Sequence, residues 1–457
     1  MMAKRGTMVG LLLGSLMLSQ MPAWAENPDG LSPEVADLKE ALKEKDRELK
    51  ALKERVERLE QASSPPEVVA QAQPPAPGPP AETPKTIGER LKGLEEVIKS
   101  LPLLSALKDW QLGGHVATSY NFNFENPNSR INRFRVFDDG ANQVTLHQVE
   151  LWLEKPTTLE SPLGFGLDFV IGRDAKKIHA LGLGSPDDVF DLTQAYVTYK
   201  APLGAGLDLK AGKFVTLHGA EVIRRPANFN ISRSLLFGFA IPFTHTGLMA
   251  TYPFADWLTV TLGLVNGWDN ADDNNTDKSL HGMATLTPFT DFTLTLSGTW
   301  GPEQPDRNGP KRGLIDVVAT YKPIPPLTLI VNYDYGVEEA AVPDGVTGGR
   351  KTAQWQGIAA YAIYDLTDHF SIGIRGEFFI DEEGFRLGFT DPATGTPARL
   401  DLWELTLTAR YKLLAHLFAS LEYRHDQARK DRLVFDNGNG TGKDSQNTIA
   451  FELIYQF

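Results

Sequence analysis

Glu404-Leu-Thr-Leu-Thr-Ala-Arg-Tyr411 alternates strictly: Leu405, Leu407, Ala409 and Tyr411 fall on one side, and Glu404, Thr406, Thr408 and Arg410 on the other. Successive side chains of a β-strand point to opposite faces, so this octapeptide predicts a strand with one apolar and one polar face. A short connection at Leu413–Ala415 leads into a second such stretch ending near 425. Working outward, the same period of two returns at Phe165–Ile171, Phe292–Trp300, Phe370–Phe378 and Ile449–Phe457. From Trp110 onward about sixteen segments of this kind follow one another, separated by clusters of Gly, Pro, Asn and Asp.

The connections alternate in length. Short ones stand at Ala201–Ala205, Tyr252–Asp256, Pro288–Asp291, Pro323–Pro326, Asp365–Asp368 and Leu413–Ala415. Long ones span 125–142, 174–190, 217–242, 268–277, 302–311, 339–352, 382–398 and 426–444. A soluble sandwich has no reason to gather its long loops at one end. A transmembrane antiparallel β-barrel does, with short periplasmic turns and long external loops. The expectation is therefore an all-β barrel of about 16 strands, closed so that no strand edge is exposed. Trp257, Trp300, Tyr321, Tyr333, Tyr411 and Tyr423 lie near segment ends, as interfacial aromatic girdles require. Phe451, Leu453, Tyr455 and Phe457 share one face of the last segment. That pattern resembles the C-terminal signal of Gram-negative outer-membrane proteins, which the barrel assembly machinery reads.

The chain has 457 residues, a net charge of −13 and no Cys. Disulfide frameworks, thiolate metal sites, iron–sulfur clusters and Cys nucleophiles are thereby excluded. The acidic balance argues against nucleic acid as a partner. Beyond residue 25 no run of 18 apolar residues occurs, which excludes a bundle of membrane-spanning helices.

Residues 1–25 read as a secretory signal peptide: basic Lys4 and Arg5, an apolar core from Met8 to Leu18, and a small-x-small site at Ala23-Trp24-Ala25. Residues 26–64 predict a periplasmic coiled coil, with Val35, Leu42, Leu49 and Val56 at a and Leu38, Lys45, Leu52 and Leu59 at d. Residues 65–85 are a Pro-rich linker, extended and without a core of its own. Ile87, Leu91, Leu94, Ile98 and Leu101 predict a short amphipathic helix over 86–108, ahead of the barrel at 109–457.

Several short patterns carry a family resemblance: Gln148-Val-Glu-Leu-Trp-Leu-Glu-Lys-Pro156, Gln194-Ala-Tyr-Val-Thr-Tyr199, Gly212-Lys-Phe214, Asn228-Phe-Asn-Ile-Ser232, Leu236-Phe-Gly238 and Pro242-Phe-Thr-His-Thr-Gly247. The chain from about 110 onward resembles the OmpL-like β-barrel porin family. The resemblance implies an outer-membrane pore for small hydrophilic solutes or ions, without enzymatic activity. It does not cover the coiled coil.

In a membrane barrel the polar face looks into water. On the expected register that face carries Glu150, Asp168, Asp208, Lys210, Asp316, Asp334, Arg375, Glu377, Glu404, Arg410, Glu422, Arg424 and Glu452. Acids outnumber bases, and rings of carboxylates favour cations. Loop 217–242 carries Glu221, Arg224, Arg225 and Arg233, and its apolar stretch Leu235–Phe243 is hard to leave in water. It is expected to fold inward as the constriction, its arginines opposing wall carboxylates. The acidic run Asp269–Asp277 lacks the Gly and Glu spacing of a Ca²⁺ loop and reads as solvated. His218 and His245 have no Gly-x-Ser-x-Gly beside them, so no hydrolase is expected; a passive channel needs no cofactor, and no metal site is expected. The expected partners are outer-membrane lipid and lipopolysaccharide, the assembly machinery, two further copies in a homotrimer, and peptidoglycan through the coiled coil. A rival reading is a structural barrel whose coiled coil tethers the membrane to the cell wall.

Overall fold

The computed structural model describes residues 109–344 and 348–457. The expected signal peptide, coiled coil, Pro-rich linker and short helix lie outside the described residues. Sixteen antiparallel strands close into one barrel. They are β1 (Gln111–Asn123), β2 (Gln143–Lys155), β3 (Leu163–Ile171), β4 (Phe190–Ala201), β5 (Leu207–Val215), β6 (Thr244–Ala255), β7 (Leu258–Val265) and β8 (Ser279–Phe289). There follow β9 (Phe292–Gln304), β10 (Arg307–Ile324), β11 (Leu327–Pro343), β12 (Arg350–Asp365), β13 (Phe370–Asp381), β14 (Leu400–Leu414) and β15 (Leu417–Ala428). A minor hairpin, β16 (Phe435–Asp436) with β17 (Gly442–Lys443), precedes the closing strand β18 (Ser445–Gln456). β18 pairs with β15 on one side and with β1 on the other, from His115↔Gln456 to Asn123↔Thr448.

Side-chain alternation fixes the inside and the outside. Leu405 and Leu407 are exposed on the outer wall of β14, while Glu404, Thr406 and Thr408 are buried. Ile372 and Ile374 of β13 face out, and Arg375 and Glu377 face in. Such an inverted distribution, apolar outside and polar inside, suits a barrel whose solvent is lipid. An aromatic ring marks the short-turn end: Phe289 stacks on Phe292, Phe292 meets Tyr321, and Phe370 meets Tyr411. Trp257 sits in the turn between β6 and β7 and is exposed. Among the described residues no helix is long and apolar enough to cross a membrane.

Two expected long loops are strand instead. Pro302–Lys311 reads as a loop because of its Gly and Pro, yet β9 and β10 continue pairing to Arg307↔Gln304 around a tight turn at Asp306. The irregular register between Arg307 and Lys311 absorbs the prolines that cannot donate. Likewise β11 and β12 extend over most of 339–352, pairing Val342 with Lys351 and Pro343 with Arg350.

Candidate functional site: the loop inside the barrel

Residues 216–243, between β5 and β6, leave the wall and fill the interior. Leu235, Leu236, Phe237, Ala240, Ile241 and Phe243 are buried and form the centre of the main apolar cluster. That cluster draws Phe134 and Phe137 from the first long loop and Leu387 and Phe389 from the loop between β13 and β14. Leu236–Ala240 forms a single π turn.

The wall receives the loop's backbone with charged groups. Glu377 accepts the N–H groups of Leu235 and Leu236 at 2.7 and 2.6 Å. Glu422 accepts those of Ile231 and Ser232 at 2.7 and 2.9 Å. Arg424 donates to the Arg233 carbonyl at 2.6 Å, and Arg410 donates to the carbonyls of Asn228 and Phe229 at 2.6 and 2.7 Å. The Trp355 indole donates to Ala240 O at 3.1 Å, and Asn332 accepts from Ala220 N at 3.0 Å. A loop without a ladder of its own thus finds partners for its buried backbone on β11 to β15.

Side-chain ion pairs add to this. Arg375 reaches Glu221 and Glu404, each at 2.7 Å, and also donates to Ser232 O. Arg225 is fully enclosed and joins Asp174 and Glu452, each at 2.7 Å. Burial alone would raise the Asp174 carboxyl, but Arg225 and then His147 outweigh it and hold it below the usual carboxylate range. Arg224 lies across Glu150 and Asp168 and, unlike its neighbours, stays about a third exposed, at 37%. A buried ion pair gains little net stability over an apolar contact, but breaking one strands a charge. The pairs therefore select one seating of the loop.

Two glycines make room for it. A Cβ at Gly373 would strike the Phe229 ring, and one at Gly357 would come within 2.8 Å of Leu236.

Of the wall residues read as facing the interior, all do so, but most meet the loop rather than open lumen. Arg375, Glu377, Glu404, Glu422, Arg424 and Glu452 are all buried, as are Asp316 and Asp334, which stand opposite each other on β10 and β11. Asp208 and Lys210 are half-buried toward the short-turn end, Asp208 paired with Lys200 at 2.6 Å and Lys210 over the Tyr196 ring. Arg233 departs from expectation: among the described residues it makes no close ion pair with a carboxylate. Its guanidinium donates to the carbonyls of Val222, Ile223 and Ile231 and lies over Phe137. Asp269 of the acidic run is not simply solvated; it is half-buried and accepts from Phe243 N and Thr244 N at 2.7 and 2.9 Å. The sequence reading missed the first loop's Arg135, which ties Asp138 to Asp426 at 2.5 and 2.6 Å. The signal was present in Phe134-Arg-Val-Phe-Asp-Asp139, too apolar for a loop left in water.

An open space lies between the loop and β2–β5. A cavity of about 240 Å³ is lined by Glu150, Asp168, Gln194, Thr216, Glu221 and Arg224, among others. Glu150 and Asp168 face the Arg224 guanidinium there, while the third carboxylate, Glu221, is held by Arg375.

A barrel of sixteen strands with an inverted surface and a loop inserted after the fifth strand defines a porin-type outer-membrane protein. The family model "Putative beta-barrel porin-2, OmpL-like" matches residues 109–457, and the chain belongs to that family. Among solved structures it is similar to the trimer form of Vibrio cholerae OmpT, at 15% identity and a TM-score of 0.50, covering 76% of this chain and 99% of that one. An anion-selective porin from Comamonas acidovorans gives 12%, 0.50, 76% and 99%, and the DcaP channel of Acinetobacter baumannii gives 13%, 0.50, 76% and 97%. At these identities the likeness is one of fold. No curated protein matches the chain in sequence.

Proposed function

We propose that the protein is a passive diffusion channel for small hydrophilic solutes or ions, narrowest where Arg224 faces Glu150 and Asp168. The observation that carries the reading is the loop 216–243, seated inside the barrel by wall carboxylates and arginines, with a charged cavity left beside Arg224. The cavity is small, so the solutes are small. Two acids against one base favour cations at that point. The arrangement needs no cofactor and no bond-making step, since permeation follows from hydration and field alone. Purified full-length protein in planar bilayers should give discrete ohmic steps. Absence of any conductance would overturn the reading.

The N-terminal region extends it. Residues 1–25 are proposed to be removed on export, and residues 26–64 to form a coiled coil in the periplasm, linked by 65–85 and leading through 86–108 into the barrel. Phe451, Leu453, Tyr455 and Phe457 would be read by the barrel assembly machinery, and the finished wall would contact lipid and lipopolysaccharide. The heptads also favour the tether as an added role, in which the coiled coil reaches peptidoglycan. Deleting 26–64 should then leave conductance intact and loosen the membrane from the cell wall, scored as vesicle shedding.

A further inference from the structure

Three histidines that the channel reading does not use meet at the base of the inserted loop. His218 belongs to the loop, His245 opens β6, and His281 lies on β8. All three are buried, and one ring nitrogen from each lies within 4.8 Å of the others. The rings of His245 and His281 are 4.2 Å apart between centroids, and those of His218 and His281 are 4.9 Å apart.

Following the protons along the hydrogen bonds settles which nitrogens carry lone pairs. Ser297 donates its hydroxyl proton to Asp316 at 3.0 Å. Toward His218 it can then only accept, so Nδ1 of His218, at 2.7 Å, is the protonated nitrogen. Nε2 of His218 must in turn accept from Thr299 Oγ1 at 2.7 Å. Having donated there, Thr299 accepts from Nδ1–H of His281 at 2.8 Å. His245 donates Nδ1–H to the carbonyl of Gly267 at 2.8 Å. Each ring is thereby held as the Nδ1–H tautomer, leaving a lone pair on all three Nε2 atoms. Nε2 of His281 is buried with no hydrogen-bond partner among the described residues, a costly state for a polar atom.

We propose that His218, His245 and His281 form a binding site for a divalent first-row transition-metal ion, taken up through their Nε2 atoms. A ligating histidine characteristically donates its other N–H to a carbonyl or hydroxyl that fixes the tautomer, as each does here. An all-imidazole set suits Zn²⁺, Cu²⁺ or Ni²⁺ and disfavours Ca²⁺ and Mg²⁺. Bonds of about 2.0–2.1 Å to Zn²⁺ require nitrogens roughly 3.3 Å apart, so the rings draw together by up to about 1.5 Å on the ion. Thr299 releases its hydrogen bond to His218 by rotating its hydroxyl, and Thr216, whose hydroxyl donates to Nε2 of His245 at 3.2 Å, does the same. Thr216 and His218 also line the cavity beside Arg224, which gives the ion a way in. Because His218 rides on the loop and the other two on the wall, the ion clips one to the other. The site requires nothing of the channel reading.

The test uses full-length protein in detergent, stripped of metal and titrated with Zn²⁺ by calorimetry, with Co²⁺ as a spectroscopic probe. Wild type should take up one ion per chain, show ligand-field absorption with Co²⁺, and melt at a higher temperature with Zn²⁺. His281→Asn and His218→Asn should each weaken Zn²⁺ binding at least tenfold, while His369→Asn, at an exposed turn, should leave it unchanged. Heat-dependent gel migration shows whether each variant is folded, and the Co²⁺ spectrum of wild type decides the matter if a variant is not. Equal affinity in wild type and folded His281→Asn, or Co²⁺ without ligand-field bands, overturns the site.

Discussion

Several wall charges, Glu377, Arg410, Glu422 and Arg424 among them, are each spent on a particular backbone group of the loop, and that makes single substitutions informative. Glu377 offers both carboxylate oxygens to two successive N–H groups at the start of the π turn. Glu377→Ala leaves both donors buried without partners, each costing about 1–3 kcal/mol. The variant is expected to lose roughly 2–6 kcal/mol in urea-induced unfolding from lipid vesicles, and to show noisier single-channel current as the turn works loose. Unchanged unfolding and current would mean the turn is held from elsewhere. Arg224 is the other decisive residue, because its guanidinium alone among the loop arginines keeps substantial contact with solvent. Arg224→Gln should move the reversal potential in a KCl gradient toward cation selectivity, with a permeability ratio changed about twofold or more, since Glu150 and Asp168 are left unopposed. Arg225→Gln should do little to selectivity, because Arg225 sees Asp174 and Glu452 but no water.

At the scale of elements, loop 216–243 behaves as a packed insert held on β11–β15 by hydrogen bonds and on β12–β13 by missing side chains. Gly373→Ala puts a methyl into the Phe229 ring and is expected to cost about 1–3 kcal/mol through displacement of the loop. The same change at Gly376, where a Cβ would meet nothing within 4 Å, should be close to neutral and serves as the control. Asp174 supplies a pH dependence. Its carboxyl titrates lower in the folded protein than the unfolded value of about 3.9, so its stabilising contribution is complete above that pH and fades as the pH falls below it. Unfolding followed from pH 7 to pH 2 should show this acid loss in wild type, and Asp174→Asn should flatten it. The strands were legible in the sequence because a period of two leaves no freedom once one face meets lipid, as Leu405 and Glu404 illustrate. The inward course of the loop was legible from Leu235–Phe243, which water would not tolerate. Its partners were not, because Glu377, Glu422 and Asp174 are brought to it only by closure of the barrel. Nothing in the local sequence could have joined His281 to His218, 63 residues away (281 − 218), since that meeting depends on β6–β9 curving around the loop.

Over the whole barrel the wall is uneven, and that bears on assembly. β3, β5 and β7 have 9, 9 and 8 residues, while β10, β11 and β12 have 18, 17 and 16. A tilted strand of roughly 9–11 residues just crosses a bilayer. The wall is therefore lower at β3, β5 and β7 than at β10–β12, by about seven residues or more, or roughly 25 Å along the strand at ~3.3 Å per residue. A low wall is the side on which a neighbouring barrel can cover the rim without striking long hairpins. A homotrimer packed through that side is the proposed assembly, and the heptads of 26–64 would supply a second contact on the threefold axis. Native mass measurement on detergent-extracted protein, with and without residues 26–85, tests it. A trimer is expected for the full chain, and a trimer that survives truncation would place the main contact on the low wall. One lost on truncation would place it on the coiled coil, because Val and Leu at a with Leu at d supply apolar contact without choosing two strands over three. A monomer in both forms would end the trimer proposal and leave the short strands facing lipid.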